Sequence, residues 1–83
     1  MEFGLLIDVE VFEFLQKLPP TRRSSFLRHF RRIQDFPGRY SDYLETDSVG
    51  RRIDVSVFAG MAIHYWTDAA DRHIKILKIQ AAD

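Results

Sequence analysis

The sequence predicts an α+β fold in the order β-α-α-β-β-β-β, a helical hairpin packed on one face of a mostly antiparallel, twisted sheet. Three observations carry this. Apolar residues recur at helical spacing only between residues 9 and 36, Pro19-Pro20 splits that region in two, and the chain beyond residue 41 is dominated by period-two alternation. The 83 residues make a single domain, 1–83, of a size that buries only about 60% of its unfolded surface. An apolar fraction of 46% is that of a globular chain.

The elements follow in order. Phe3, Leu5 and Ile7 share one side of a first strand over residues 2–7. Asp8 is placed to cap the helix that follows. In "VEVFEFLQKL", Val11, Phe12, Leu15 and Leu18 fall on one helical face with Phe14 at its margin, and Glu10, Glu13 and Lys17 fall opposite. The prolines end this helix. Thr21 then caps a second one over residues 22–35, with Phe26, Phe30 and Ile33 as its core stripe and Leu27 and Phe36 at the edges. "SDYLETD" reads as a polar edge strand and "DSVG" as a turn with glycine last. "RRIDVSVF", "MAIHYWT" and "HIKILKIQA" are three further strands, the last apolar on both faces as an interior strand is.

Composition narrows the function. With no cysteine there is neither a disulfide nor a thiolate metal site, which suits a reducing compartment. His29, His64 and His73 lack the close spacing of a metal site, and no cofactor is expected. The apolar runs are too short to span a membrane, and "MEFGLLIDVE" lacks the basic start of a signal peptide, so a cytoplasmic protein is expected. The formal net charge is zero, yet Lys17, Arg22, Arg23, Arg28, Arg31 and Arg32 follow one another between Glu13 and Asp35 with no acidic residue among them. Arg28, Arg31 and Arg32 lie on the far side of the second helix, where they serve either phosphate contact or simple solvation.

The stretches "FLQKLPPTRR", "SDYLETDSVGRR" and "YWTDAADRHIKILKIQAAD", in this order and at this length, resemble the RelE/ParE superfamily of bacterial toxins from type II toxin–antitoxin modules. The last stretch is similar to the branch labelled plasmid-stabilisation proteins. The resemblance implies a growth-arresting toxin neutralised by a cognate antitoxin, with no small-molecule substrate. It also implies one of three activities: ribosome-dependent mRNA cleavage (a metal-independent mRNA interferase), non-enzymatic inhibition of DNA gyrase, or a degenerate module that only binds antitoxin. Cleaving relatives use arginines and lysines on the concave sheet face and a tyrosine or histidine near the C-terminus. Here Gly60-Met61 stands where such relatives often carry an arginine, and "QAAD" offers neither of the C-terminal residues.

Substitutes are present. His64 and His73 titrate near neutrality, Arg51 and Arg52 suit phosphate, and Lys75 and Lys78 add positive charge. A three-residue hairpin loop, Phe58–Gly60, puts Ile53, Val55 and Val57 on the helix side. It sets Asp54 opposite His64 and Arg52 opposite Trp66 on the other face. A two-residue loop at Ala59-Gly60 instead sets His64 beside Val55. The first register is preferred, because it keeps the apolar pairs together. It makes His64, Asp54 and Arg52 the candidate catalytic group and Trp66 the candidate stacking platform. Arg51, Arg28, Arg31, Arg32, His73, Lys75 and Lys78 are then candidate RNA or phosphate contacts. The plain alternative is a cross-strand ion pair between Asp54 and His64.

Overall fold

The computed structural model describes residues 2–82; Asp83, the end of the terminal "AD", lies outside them. Strand β1 is Gly4–Ile7, helix α1 Val9–Gln16 and helix α2 Pro20–Asp35. Strands β2 (Tyr43–Thr46), β3 (Arg52–Phe58), β4 (Met61–Asp68) and β5 (His73–Ala81) complete the chain. They form one sheet in the order β1-β5-β4-β3-β2, antiparallel except where β1 runs parallel to β5. The helical hairpin lies on one face of this sheet, and the element order is the one the sequence predicts.

The Asp8 side chain accepts from the Glu10 N–H at 3.0 Å and so caps α1. At the other end of α1 the cap is borrowed from α2: the Arg23 guanidinium donates to the carbonyls of Leu15, Gln16 and Leu18. Leu15 and Gln16 belong to the last turn of α1, where carbonyls lack their usual i+4 partners, and Leu18 lies just beyond it. Pro20 opens α2, where its missing N–H costs nothing, and Pro19 occupies the cap position without a side-chain hydrogen bond. Thr21, the cap inferred from sequence, therefore lies two residues past the cap position, within the first turn of α2.

Val11 and Leu15 of α1 and Phe26, Phe30 and Ile33 of α2 pack on Ile63, Tyr65, Ile74 and Ile76 of the sheet. Phe14 and Leu18 join them, and Phe14 meets Phe26 edge to face. Phe12 does not: it is 52% exposed, on the same outward face as Val9.

The β3–β4 turn decides which way β3 faces. Ala59 (φ 52°) and Gly60 (φ 79°) both take left-handed backbone. That is the pattern of a two-residue type I′ turn, whose twist matches the flanking strands. The pairs are Phe58 with Met61, Ser56 with Ile63, Val55 with His64 and Asp54 with Tyr65. The expected three-residue register is thus one residue off, and every side chain of β3 is reversed relative to it. Asp54, Ser56 and Phe58 face the helices, while Ile53, Val55 and Val57 face the open side. Alternation could not distinguish these, because Ile53, Asp54, Val55 and Ser56 are all buried.

Two buried polar contacts tie the reversed strand down. His29 Nε2 lies 2.8 Å from Ser56 Oγ while its ring stacks on Phe58. Asp54 accepts from the Ser41 hydroxyl at 2.7 Å. The buried Tyr65 hydroxyl donates to the Pro37 carbonyl, fastening the segment after α2 over the sheet.

Candidate functional site

His64 lies at the middle of the open sheet face, on the central strand. Its side chain is turned away from the helices, as the sequence suggested, but into different company. Asp54 is on the opposite face, so no Asp54–His64 pair exists. Glu45 of β2 supplies the carboxylate instead: it reaches across β3 and brings Oε1 to 3.3 Å from His64 Nδ1. On the other side of the ring, the Gln80 amide nitrogen is 3.4 Å from His64 Nε2. Lys78 is the cross-strand partner of His64 on β5.

The floor around the imidazole is apolar. Ile53, Leu77 and His64, with Glu45, Thr46, Asp47, Arg51 and Lys78 at the rim, enclose a concavity of about 280 Å³. A β-bulge shapes this wall. Tyr65 pairs with Ile76 and His64 with Lys78, leaving Leu77 without a partner. Leu77 and Lys78 therefore both line the concavity, where strict alternation would admit only one.

Burial lowers the pKa of His64 from the ordinary histidine value. Lys78 lowers it further, and Glu45 opposes the shift. With only 3% of the residue exposed, burial favours the neutral imidazole, which lies between the Glu45 carboxylate and the Gln80 amide.

Beside this group, Trp66 carries two cations over its ring, the Arg51 guanidinium at 4.5 Å and the Lys75 ammonium at 5.0 Å. Both cations are also tied to carboxylates. Arg51 Nε is 2.6 Å from Asp47, and Lys75 Nζ is 2.9 Å from Asp68 and 3.6 Å from Asp71. Hydrogen bonding to Arg51 and to Lys75 holds the Asp47 and Asp68 carboxyls below the usual range, and the Asp68 contact raises the Lys75 pKa.

The remaining candidates disperse. Arg52 lies on the helix-facing side, where with Asp54, Pro37, Gly38, Trp66 and Thr67 it lines a second hollow of about 350 Å³. His73, at the far end of β5 from Lys78, packs its ring against Gly4, where even a methyl group would lie 2.7 Å from it. Arg28, Arg31 and Arg32 are exposed on α2; Arg28 bonds Ser25 and Arg31 bonds Gln34. None of the three makes an ion pair among the described residues. The structure therefore gathers His64, Lys78, Arg51, Trp66 and Lys75 on one face. It separates Asp54, Arg52 and the α2 arginines from them, and leaves His73 at the end of that face, two residues beyond Lys75.

Glu45 and Gln80 are the members sequence reasoning missed. Glu45 sits in a segment polar throughout, and its partner is two strands away, so no spacing along the chain announces it.

Among the described residues, no group of histidine, aspartate and glutamate is arranged to hold a metal ion. No helix there is long and apolar enough to cross a membrane. No protein-family model matches the sequence, and no curated protein matches it. Solved structures do. A chain of the toxin–antitoxin complex RelBE2 from Mycobacterium tuberculosis is similar at 14% identity and a TM-score of 0.79, covering 99% of this chain and 100% of that one. A chain of the archaeal RelE–RelB complex from Pyrococcus horikoshii is similar at 23% identity and a TM-score of 0.79, covering 98% and 96%. Each likeness runs from end to end, through the helical hairpin and all five strands: the chain has the RelE-type fold.

Proposed function

We propose that this protein is the toxin of a type II toxin–antitoxin module and that it cuts mRNA on the ribosome with the open face of its sheet. The toxin reading rests on the end-to-end likeness to two toxin–antitoxin complexes. An antitoxin has surface to cover: Val9 and Phe12 stand side by side and solvent-facing on α1, and Tyr43 and Leu44 lie on the exposed edge strand β2. A segment disordered alone and folding over such a surface is the usual mode of this recognition.

One observation carries the cleavage reading, the neutral His64 imidazole with a carboxylate behind it at the floor of a concavity. In the reaction, His64 Nε2 takes the proton of a 2′-hydroxyl, and the oxygen attacks the adjacent phosphorus. The bond from phosphorus to the 5′ oxygen breaks, leaving a 2′,3′-cyclic phosphate and a 5′-hydroxyl protonated from water. Lys78 is the nearest cation for the charge that builds on the phosphorane, and Trp66 offers a ring against which a base can stack.

A second reading, arrest through DNA gyrase without chemistry, is favoured by the neutralised state of the face. Arg51 and Lys75 are already paired to Asp47, Asp68 and Asp71. Induced expression without antitoxin separates the two, with translation and DNA synthesis followed independently. Early loss of translation, relieved by His64→Ala and unaffected by Arg52→Ala on the opposite face, is the result cleavage requires. Early loss of DNA synthesis indifferent to His64→Ala would replace it with the gyrase reading. No arrest at all would leave a module that only binds antitoxin.

A further inference from the structure

The two side chains that flank His64 have opposite hydrogen-bonding abilities, and together they specify where its proton sits. A carboxylate only accepts, so Glu45 Oε1, 3.3 Å from Nδ1, faces a proton on that nitrogen. A neutral imidazole then has a bare lone pair on Nε2. The Gln80 amide nitrogen, 3.4 Å from Nε2, only donates and so fits that lone pair. The reverse tautomer would set a lone pair against the carboxylate and two N–H groups against each other. The Glu45 carboxylate thus sets the proton position, and the Gln80 amide, which can present either nitrogen or oxygen, stands with its nitrogen toward the ring in keeping with it.

We infer that Glu45 is the positioning residue that fixes His64 in the Nδ1–H form, and that Gln80 is a displaceable cover over the reactive Nε2. This deepens the mRNA-cleavage reading and rests on it for the identity of the substrate.

The geometry separates a cover from a structural bond. His29 and Ser56, a buried pair on the helix side, approach to 2.8 Å. The Gln80 contact is 3.4 Å, at the outer limit for a hydrogen bond. Gln80 is also an exposed residue near the end of β5, so its amide has water as an alternative partner when it moves. A substrate hydroxyl arriving through the concavity has one feature that an amide nitrogen lacks: it donates its proton to Nε2 and can then surrender it. The bulge at Leu77 is the second, independent mark of a built site, because it falls between the His64–Lys78 and Tyr65–Ile76 pairs and brings two successive side chains of β5 to the wall beside His64. Glu45 is 48% exposed at its side chain and reaches in from the solvent edge, while the ring it orients is buried.

The test uses the full chain and reads His64 directly. Ring 15N shifts are recorded for wild type, Glu45→Ala, Glu45→Asp and Gln80→Ala, and acylation of each histidine by diethyl pyrocarbonate is followed by mass spectrometry. Wild type should show Nδ1–H at His64. Glu45→Ala should move the proton to Nε2, with Gln80 turning its carbonyl oxygen to accept, and Glu45→Asp should restore part of the original form. Gln80→Ala should leave the tautomer alone and speed acylation of His64, but not of His29 or His73, by roughly tenfold, the equivalent of about 1.4 kcal/mol. Against ribosome-bound mRNA, Glu45→Ala should lower kcat by roughly a hundredfold with KM little changed.

An Nε2–H form in wild type, or a tautomer indifferent to Glu45→Ala, overturns the inference whatever the protein cuts. Unchanged acylation in Gln80→Ala overturns the cover. The expected tautomers together with a wild type that cuts no mRNA would uphold the positioning role and sink the cleavage reading. Both Glu45 variants alter a side chain on an exposed edge strand, so loss of folding does not confuse the result.

Discussion

At the scale of single residues, the two buried histidines set how the protein responds to acid. His29 and His64 both have pKa values depressed below the ordinary 6.5, each chiefly by burial, with Arg32 adding to the effect at His29 and Lys78 at His64. The unfolded chain therefore takes up protons first as pH falls. Their contribution is complete above about 6.5 and is lost as pH drops from there through the folded-state values. Asp47 and Asp68 are depressed carboxylates, so theirs persists to lower pH and is lost in the acidic range. Melting temperature measured against pH should show two separate declines, and His29→Gln or His64→Gln should flatten the first without touching the second. A single decline confined to acid would show that the histidines do not govern it. Neither burial was legible beforehand: the helical stripe named Phe26, Phe30 and Ile33, but His29 lies on its flank and is hidden only because Ser56 and Phe58 of the reversed β3 come to meet it.

At the scale of elements, two short connections hold the arrangement and each gives a prediction. Arg23 stitches α2 to the open end of α1 through three carbonyls. Removing a charged donor from such acceptors costs about 1–2 kcal/mol, so denaturant unfolding of Arg23→Ala should show that loss. Arg23→Lys should recover little of it, since an ammonium cannot fork to separate acceptors as a guanidinium does. In the β3–β4 turn, Ala59 carries a left-handed backbone that asparagine tolerates better. Ala59→Asn should stabilise by up to about 1 kcal/mol, and a destabilised variant would contradict the turn geometry.

The same turn explains why the sequence revealed the elements but set His64 against Asp54 rather than Glu45. Periodicity and prolines locate both helices, and the "DSVG" turn closes as expected, with Gly50 left-handed and its N–H donating to Asp47. Register is another matter. Ala-Gly is a weak turn signal beside Asn-Gly, and β3 is buried on both faces, so one residue of loop length decided whether Asp54 or Glu45 would meet His64.

At the scale of the whole molecule, a formally neutral chain segregates its charge. On the open sheet face Arg51 and Lys75 are internally paired, whereas Arg28, Arg31 and Arg32 on the outer side of α2 face solvent without carboxylate partners among the described residues. If α2 grips nucleic acid, affinity should fall with added salt. Replacing all three arginines by alanine should then flatten the log–log slope by about 2 to 3. An unchanged slope would assign these residues to solvation alone.

The parallel pairing of β1 with β5 bears on how the molecule comes together. Residues 43–81 can zip hairpin by hairpin, each strand meeting the one before it, but Gly4 must find His73 across most of the chain. Such a distant closure is slow. Until it happens the outer backbone of β5 is bare, a row of unmet donors and acceptors that will accept any extended segment. The newborn sheet therefore passes through an interval in which its own first strand competes for that edge with whatever other chain is close by. The outcome of that race is settled by local concentration before the finished surface exists.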